Sequence, residues 1–187
     1  MHRERISDDI YVFTSGLYAQ VTAGAILTPN GAIVIDTLPF PVETRQVIDY
    51  VERRCPAGIK FVIYTHYNAD HTYAGYLFRD AQFIAHALCR ELLMTRGEAG
   101  LQLARQQNPS LADVQLRLPD MVFTGEMTLR LGGKTLVLTH SPGHTPDCIT
   151  AYVKEDKILF AADTVMPVPY IVDGDADAML KSLARLK

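Results

Sequence analysis

The sequence lacks several features that mark common protein classes. None of its apolar runs approaches the roughly 18 residues that a membrane span requires. The first ten residues, MHRERISDDI, have no apolar core of the kind found in signal peptides. Its 18 Lys and Arg against 21 Asp and Glu give a net charge of −3, without the basic excess typical of nucleic-acid binders. We therefore expect a globular protein with neither nucleic acid nor membrane among its partners.

Cysteine is also scarce. Cys55, Cys89 and Cys148 lie far apart, so the sequence contains neither a disulfide framework nor a C-x-x-C metal clip. This usage favours a reducing, cytoplasmic location.

At roughly 150 residues per domain, 187 residues predict one domain. A pattern of strands, helix and a strand followed by a polar loop occurs twice, which predicts two α/β halves at about 1–111 and 112–187.

Most of the chain shows a clear strand or helix pattern. Clusters of β-branched and aromatic residues predict strands over 10–14, 17–28, 32–36, 61–64, 82–85, 121–131, 134–140, 148–153 and 157–161. Helical spacing of apolar residues predicts helices over 41–55, 86–106 and 176–186. The last helix carries Met179, Leu180, Leu183 and Leu186 on one face.

Three polar clusters each follow the C-terminal end of a predicted strand. They contain His66, Asn68, Asp70 and His71 in the first, His144 in the second and Asp163 in the third. A single loop histidine is more often a surface residue than a ligand, and polar residues at strand ends are often helix N-caps. Three such clusters together are improbable as an accident. Imidazole and carboxylate suit zinc, iron and manganese, so the pattern predicts a metal site.

These motifs resemble those of the metallo-β-lactamase-fold superfamily of metallohydrolases. That family carries H-x-H-x-D-H after a buried strand, a later histidine in a T/S-P-G-H-T loop and an aspartate in a G/A-D-T loop. The matching segments here are THYNADH (65–71), SPGHT (141–145) and ADT (162–164). The resemblance extends from about residue 10 to the end of the chain. It implies an α/β fold, the αββα sandwich, in which two mixed β-sheets pack face to face with helices outside.

The resemblance also implies roles for individual residues. It assigns His66 and His144 to a first metal position, Asp70 and His71 to a second, and Asp163 to a bridge between them. Asp36, in Ile35-Asp36-Thr37, would support the loop of residues 65–71, called the metal loop here, from behind the ligands. The implied cofactor is zinc, as one or two ions, with iron or manganese as alternatives. The implied reaction is attack of a metal-activated hydroxide on a small ester, thioester, lactam or lactone, with Asp70 as the catalytic residue that orients the nucleophile or accepts its proton.

Two departures from the family pattern leave alternatives open. Asn68 stands where the family has its second histidine and is a candidate ligand of the first position, but only a weak, neutral one, which predicts weaker or altered metal binding there. No histidine follows His144, so the last family ligand is absent, and we expect the fold to be incomplete at its C-terminus. One alternative is therefore a catalytically weak or inactive metal-binding fragment that needs a partner segment. Another is an iron-dependent oxidoreductase on the same fold.

The remaining candidates concern the pocket and the surface. Tyr67 and Tyr170 are candidates for lining the pocket of a small-molecule substrate, although core packing explains them equally well. His86 and His140 are interpreted as structural. The apolar face of the last helix predicts self-association, since exposed apolar patches tend to mark association sites.

Overall fold

The computed structural model describes residues 1–186, which form eleven strands in two sheets and five α-helices. The strands are β1 (His2–Arg5), β2 (Ile10–Thr14), β3 (Thr22–Thr28), β4 (Gly31–Ile35), β5 (Ile59–Ile63), β6 (Gln82–His86), β7 (Met121–Phe123), β8 (Glu126–Leu131), β9 (Lys134–His140), β10 (Ile149–Val153) and β11 (Ile158–Phe160). The helices are α1 (Pro41–Arg54), α2 (Ala69–Thr72), α3 (Ala87–Leu92), α4 (Glu98–Gln107) and α5 (Ala176–Ala184).

The two sheets differ in size and strand direction. The first has seven strands in the order β1 to β7, antiparallel from β1 to β4 and parallel from β4 to β7. The second has four antiparallel strands in the order β11-β10-β9-β8. A two-residue turn at Pro29-Asn30 joins β3 to β4 as a hairpin.

The main apolar layer lies between the sheets. The first sheet contributes Ile33, Ile35 and Ile63 to this layer, and the second contributes Leu136 and Leu138 among others. Because side chains alternate along a strand, their neighbours face the opposite side. On the outer side of the first sheet Val34, Val62 and Phe83 pack with three apolar residues of α1 that are buried there, Val47, Tyr50 and Val51.

Helix α5 lies on the outer side of the second sheet, where Ser182 donates a hydrogen bond to the carbonyl of Pro142 at 2.7 Å. Helices therefore lie on the outer sides of both sheets, and the predicted αββα sandwich is confirmed. The described chain has no helix long and apolar enough to cross a membrane. The two-half division of residues 1–187 and the continuation of the fold beyond them stay predictions.

Two predicted strands are wrong in extent. The strand predicted over 17–28 begins only at Thr22, because Ala19 and Gln20 adopt left-handed φ angles of 43° and 57° that interrupt the pleat. The strand predicted over 121–131 is two strands. Between β7 and β8 the chain turns at Gly125, whose φ is 77°, and passes from the first sheet to the second.

One helical prediction is confirmed and another needs correction. The helical stretches predicted over 86–106 are α3, a π-helical turn at Leu93–Gly97, and α4. In α5, Met179 is buried against the backbone of Gly143, but Leu180 is 66% exposed and does not share its buried face. The sequence reasoning also missed β1, whose four residues are all exposed and carry no apolar alternation.

Candidate metal centre

The candidate ligands meet at one end of the sandwich because of the strand directions. β4 and β5 are parallel, so Asp36 and the loop that begins at Thr65 follow their carboxyl ends at the same edge. β9 and β11 are both antiparallel to β10, so the loops carrying His144 and Asp163 also emerge together. A hydrogen bond from the amide of Ile149 to the carbonyl of Thr65, at 2.9 Å, joins the two sheets at this point.

The structure brings all five predicted ligands together, with Asp163 in the middle. One candidate ligand atom from each of His66, His144 and Asp163 lies within 4.8 Å of the other two. Asp163 Oδ2 is 3.5 Å from His144 Nε2, and its Oδ1 is 3.5 Å from His71 Nε2. Asp70 Oδ2 lies 3.7 Å from the same atom of His71. The two oxygens of Asp163 therefore point to two different groups of side chains.

Asp36 lies behind these residues and organises the metal loop. Its Oδ1 accepts a hydrogen bond from the amide of Thr65 at 2.7 Å. Its Oδ2 accepts from the Thr65 hydroxyl at 2.6 Å and from His71 Nδ1 at 2.8 Å. Asp36 is buried and has a left-handed φ of 57°, a conformation that aspartate tolerates better than most residues.

Hydrogen bonds at Nδ1 set the tautomers of His66 and His144. The Thr65 hydroxyl donates to Asp36, so it accepts from His66 Nδ1, which lies 3.1 Å away. His144 Nδ1 donates to the carbonyl of Tyr170 at 2.7 Å. Both histidines therefore present an unprotonated Nε2 to the site, which is the form that binds a metal.

The environment of His66 and His71 fits a cation. The Nε2 atoms of both are buried and have no hydrogen-bond partner among the described residues, which is rare for buried polar atoms. Burial lowers the pKa of His66 well below its usual range, and the nearby His71 and His144 lower it further. Burial also lowers the pKa of His71, but Asp36 and the other carboxylates outweigh burial and raise it to about 9. A divalent cation would replace the His71 proton in compensating these carboxylates.

Asn68 also reaches this cluster, but as a hydrogen-bond donor. Its Nδ2 lies 3.0 Å from His144 Nε2, the same nitrogen that faces Asp163. The Asn68 amide therefore occupies the lone pair of His144 Nε2 that a metal would need. A cation at His144 has to displace this hydrogen bond, and the Asn68 amide oxygen would be only a neutral ligand in return.

Sequence reasoning missed several supporting contacts. Thr65 links Asp36 to His66, and its place directly before the first histidine was the available signal. The Tyr170 carbonyl that orients His144 left no signal, because it is a backbone group. Asp173 was also missed as a support: the Tyr67 hydroxyl donates to it at 3.0 Å, and Arg96 of the π-helical turn also hydrogen-bonds to it.

An open groove of about 1010 Å³ leads to the candidate ligands. Asp70, His144 and Asp163 line it, and so does Tyr170, as expected. Tyr67 does not line this groove, since its hydroxyl is turned to Asp173. The groove gives a small molecule access to the place where the ligands converge.

A sequence model described as the metallo-beta-lactamase superfamily matches residues 18–186. The chain belongs to this superfamily. A solved structure of a metallo-beta-lactamase from Pontibacter korlensis has the same fold, with a TM-score of 0.80 at 20% identity over 99% of this chain and 84% of that one.

Curated relatives are similar over much of the chain. A hydroxyacylglutathione hydrolase of Rhizobium meliloti (strain 1021) is 27% identical over 148 residues, which cover 77% of this chain and 49% of that protein. A metallo-beta-lactamase type 2 of Pseudomonas aeruginosa is 27% identical over 186 residues, covering 93% of this chain and 66% of that one. The chain thus spans about half the length of the first and 66% of the length of the second.

Proposed function

We propose that this superfamily member is a metal-dependent hydrolase with zinc as its cofactor. One or two ions would be held by His66, Asp70, His71, His144 and Asp163. The observation that carries the proposal is the position of Asp163, whose two oxygens each lie 3.5 Å from the Nε2 atom of a different histidine. A shared carboxylate of this kind suits two neighbouring cations.

The bound ions would supply a Lewis acid that polarises the substrate carbonyl and acidifies a water molecule. The chain's own residues would do the rest. Asp70 lines the groove and is partly exposed, so its carboxylate can orient the attacking water and accept its proton. Water adds to the carbonyl carbon, the bond to the leaving oxygen, sulfur or nitrogen breaks, and the leaving group takes up a proton. Asp36 acts only through Thr65 and His71, which it holds in place.

We propose a small ester, thioester, lactam or lactone as substrate. All four contain an acyl carbon bonded to oxygen, sulfur or nitrogen, and water with a Lewis acid is enough to cleave that bond. The names of the relatives, an acylglutathione hydrolase and a beta-lactamase, support a reaction at such a carbonyl. The open groove beside Asp70 and Asp163 supports a small-molecule substrate.

One observation favours the alternative of a weak or inactive metal-binding fragment. The hydrogen bond from Asn68 to His144 Nε2 opposes a cation at that nitrogen. Replacing Asn68 with histidine would remove this competition and add a ligand, so N68H is expected to bind metal more tightly. If N68H gains metal and activity that the natural sequence lacks, the alternative is correct.

Elemental analysis and one substitution test the main proposal. Protein purified without added metal is expected to contain one to two zinc ions per chain, and iron instead of zinc would favour the oxidoreductase alternative. Asp163→Ala is expected to lose both the metal and the hydrolysis of generic esters, thioesters and lactams. Asp113→Ala, which removes an exposed carboxylate of another part of the surface, is the matched control. Turnover retained by D163A would contradict the proposal.

The surroundings of the protein are also proposals. The three cysteines are buried and form no disulfide, which supports a cytoplasmic location. Leu180 of α5 is exposed, which supports self-association through this helix. Light scattering at high concentration tests the latter, and a clean monomer would contradict it.

A further inference from the structure

We propose that the groove selects uncharged substrates whose acyl or aryl group is apolar, and discriminates against substrates that carry a second, anionic group. This inference rests on the proposed hydrolase function and names the substrate class of that site. Two independent features of the groove carry it: its described lining residues include no basic side chain, and several of them are exposed apolar side chains.

The charge of the groove is the first feature. Among the described residues that line it there is no lysine and no arginine. The described lining residues include three acidic ones, Asp36, Asp70 and Asp163, and one histidine, His144. These carboxylates would balance the charge of a bound cation, and the cation itself would bind the oxygen of the reacting carbonyl. A carboxylate elsewhere on the substrate would lose its water of hydration in the groove and find no cation in return, which is costly.

The walls are the second feature. One wall is formed by the loop with Tyr18 and Val21, and the other by the segment with Val165, Val168 and Tyr170. Val168 is 77% exposed and Tyr170 is 65% exposed, although both are apolar enough to favour burial. Exposed apolar side chains gathered around one groove mark a binding site for an apolar group.

Hydrogen bonds hold one wall in place and an aromatic contact holds the other. The Tyr170 carbonyl accepts from His144 Nδ1, and the amide of Val172 donates to the carbonyl of His144 at 3.0 Å. The Tyr18 ring packs edge-on against Phe40 with centroids 6.4 Å apart. An apolar substrate group would therefore bury these side chains without first ordering the loops, which favours binding.

Three esters of equal chain length separate charge from shape. 4-Nitrophenyl hexanoate is neutral and apolar. 4-Nitrophenyl hydrogen adipate carries a terminal carboxylate, and 4-nitrophenyl methyl adipate is its neutral counterpart. With the zinc-loaded protein, kcat/KM for both neutral esters is expected to exceed that for the hydrogen adipate ester by at least about tenfold. A smaller ratio, or a preference for the anion, overturns the inference while leaving the hydrolase proposal intact.

A substitution on the wall should change this preference. Val168→Lys places a cation beside the groove at a highly exposed position, so folding should be unaffected. V168K is expected to raise kcat/KM for the hydrogen adipate ester relative to the hexanoate by about tenfold. Leu103→Lys, at an exposed position of α4 outside the groove, is the matched control and should leave the ratio unchanged. An equal effect of both variants would contradict the assignment to this groove.

A binding experiment keeps the inference testable if no ester is hydrolysed. Absence of turnover by the loaded protein would count against the hydrolase proposal alone. N-benzylhexanamide and N-benzyladipamic acid then serve as a neutral and an anionic ligand that are not turned over. NMR titration should show tighter binding of the neutral amide, with a smaller difference in V168K. Equal or tighter binding of the acid would overturn the substrate class.

Discussion

Asp36 supports both ends of the metal loop at once. Its carboxylate accepts hydrogen bonds from the amide and hydroxyl of Thr65 and from Nδ1 of His71. Through Thr65 it also determines which nitrogen of His66 carries a proton. Residues that orient metal ligands in this way are usually needed for full metal affinity.

Asp36→Asn should therefore weaken metal binding without removing a ligand. The amide keeps the shape but can accept fewer hydrogen bonds, so His71 and Thr65 lose a fixed orientation. We expect a loss of metal affinity of about 10- to 100-fold, measured by competition with a chromogenic chelator.

Two further variants control for the D36N result. Thr65→Val removes only the hydroxyl that links Asp36 to His66, and it is expected to have a smaller effect in the same direction. Asp49→Asn, on the exposed side of α1, should have none. If D36N is folded by circular dichroism and binds metal as tightly as the natural sequence, Asp36 has no positioning role.

The backbone of Ala162, directly before Asp163, is strained. Its φ of 45° is left-handed, which disfavours an L-residue by about 1 kcal/mol or more. Ala162→Gly should relieve this strain and raise the free energy of unfolding by about 0.5 to 1 kcal/mol. Ala99→Gly, on the exposed side of helix α4, should instead lower it by about 1 kcal/mol. Urea unfolding of both variants measures the effect, and changes of the same sign would contradict the strain argument.

At the scale of elements, two histidines join the two sheets. His86 ends β6 and His140 ends β9, and their rings stack with centroids 3.9 Å apart. His86 Nδ1 accepts a hydrogen bond from the amide of Leu88 at the start of α3, a role that needs the neutral ring. Burial, with a further contribution from His140, lowers the pKa of His86 to about 4.

This low pKa predicts a loss of stability in weak acid. The unfolded chain binds a proton at His86 near pH 6.5, while the folded protein does so only near pH 4. The contribution of neutral His86 to the free energy of unfolding is thus complete above about pH 6.5, and it is lost as the pH falls toward 4. The shift corresponds to at most about 3 kcal/mol.

His86→Asn should remove this part of the pH dependence. Asparagine cannot titrate but can still accept the hydrogen bond at the helix start. Urea unfolding with a chelator present, at pH 7.5 and pH 5, should show a smaller difference for H86N than for the natural sequence. His2→Asn, at an exposed position, should not change the difference. An unchanged difference in H86N would show that His86 does not carry it.

The elements also show where sequence patterns reach their limit. The sequence predicts β2, β9 and α1 nearly to the residue. The spacing of their apolar residues follows the buried face of each strand and the buried side of the helix. The run over 121–131 has a continuous strand pattern, and periodicity says nothing about the change of sheet at Gly125. Tyr18, Ala19 and Val21 are apolar and line the groove, and their spacing resembles a strand although β3 begins only at Thr22.

At the scale of the whole molecule, the candidate centre draws on both sheets. His66 and His71 follow a strand of the first sheet, while His144 and Asp163 follow strands of the second. The motifs predicted this convergence because polar residues at the carboxyl ends of strands share one edge. They could not predict the Asn68 hydrogen bond to His144 or the support from the Tyr170 carbonyl, which depend on how the loops fold back.

Metal removal should therefore destabilise the whole fold. A cation that binds only the folded protein at 100 times its dissociation constant adds about 2.7 kcal/mol to the free energy of unfolding. Addition of a chelator should lower the unfolding temperature of the loaded protein, and zinc should restore it. In D163A the chelator is expected to have no effect. A chelator effect of equal size in D163A would show that the stabilising metal lies elsewhere.

Gly174 packs directly against the backbone of Gly143, and this contact, called the seam here, has a consequence for engineering. A side chain at Gly174 would overlap the carbonyl oxygen of Gly143, and one at Gly143 would come within 2.6 Å of Met179 Cα. Both positions are closed to variation, whereas Val165 and Val168 between Asp163 and the seam are exposed. A combinatorial library over this loop can therefore alter the groove while its anchor holds, and new specificities should arise there by substitution alone.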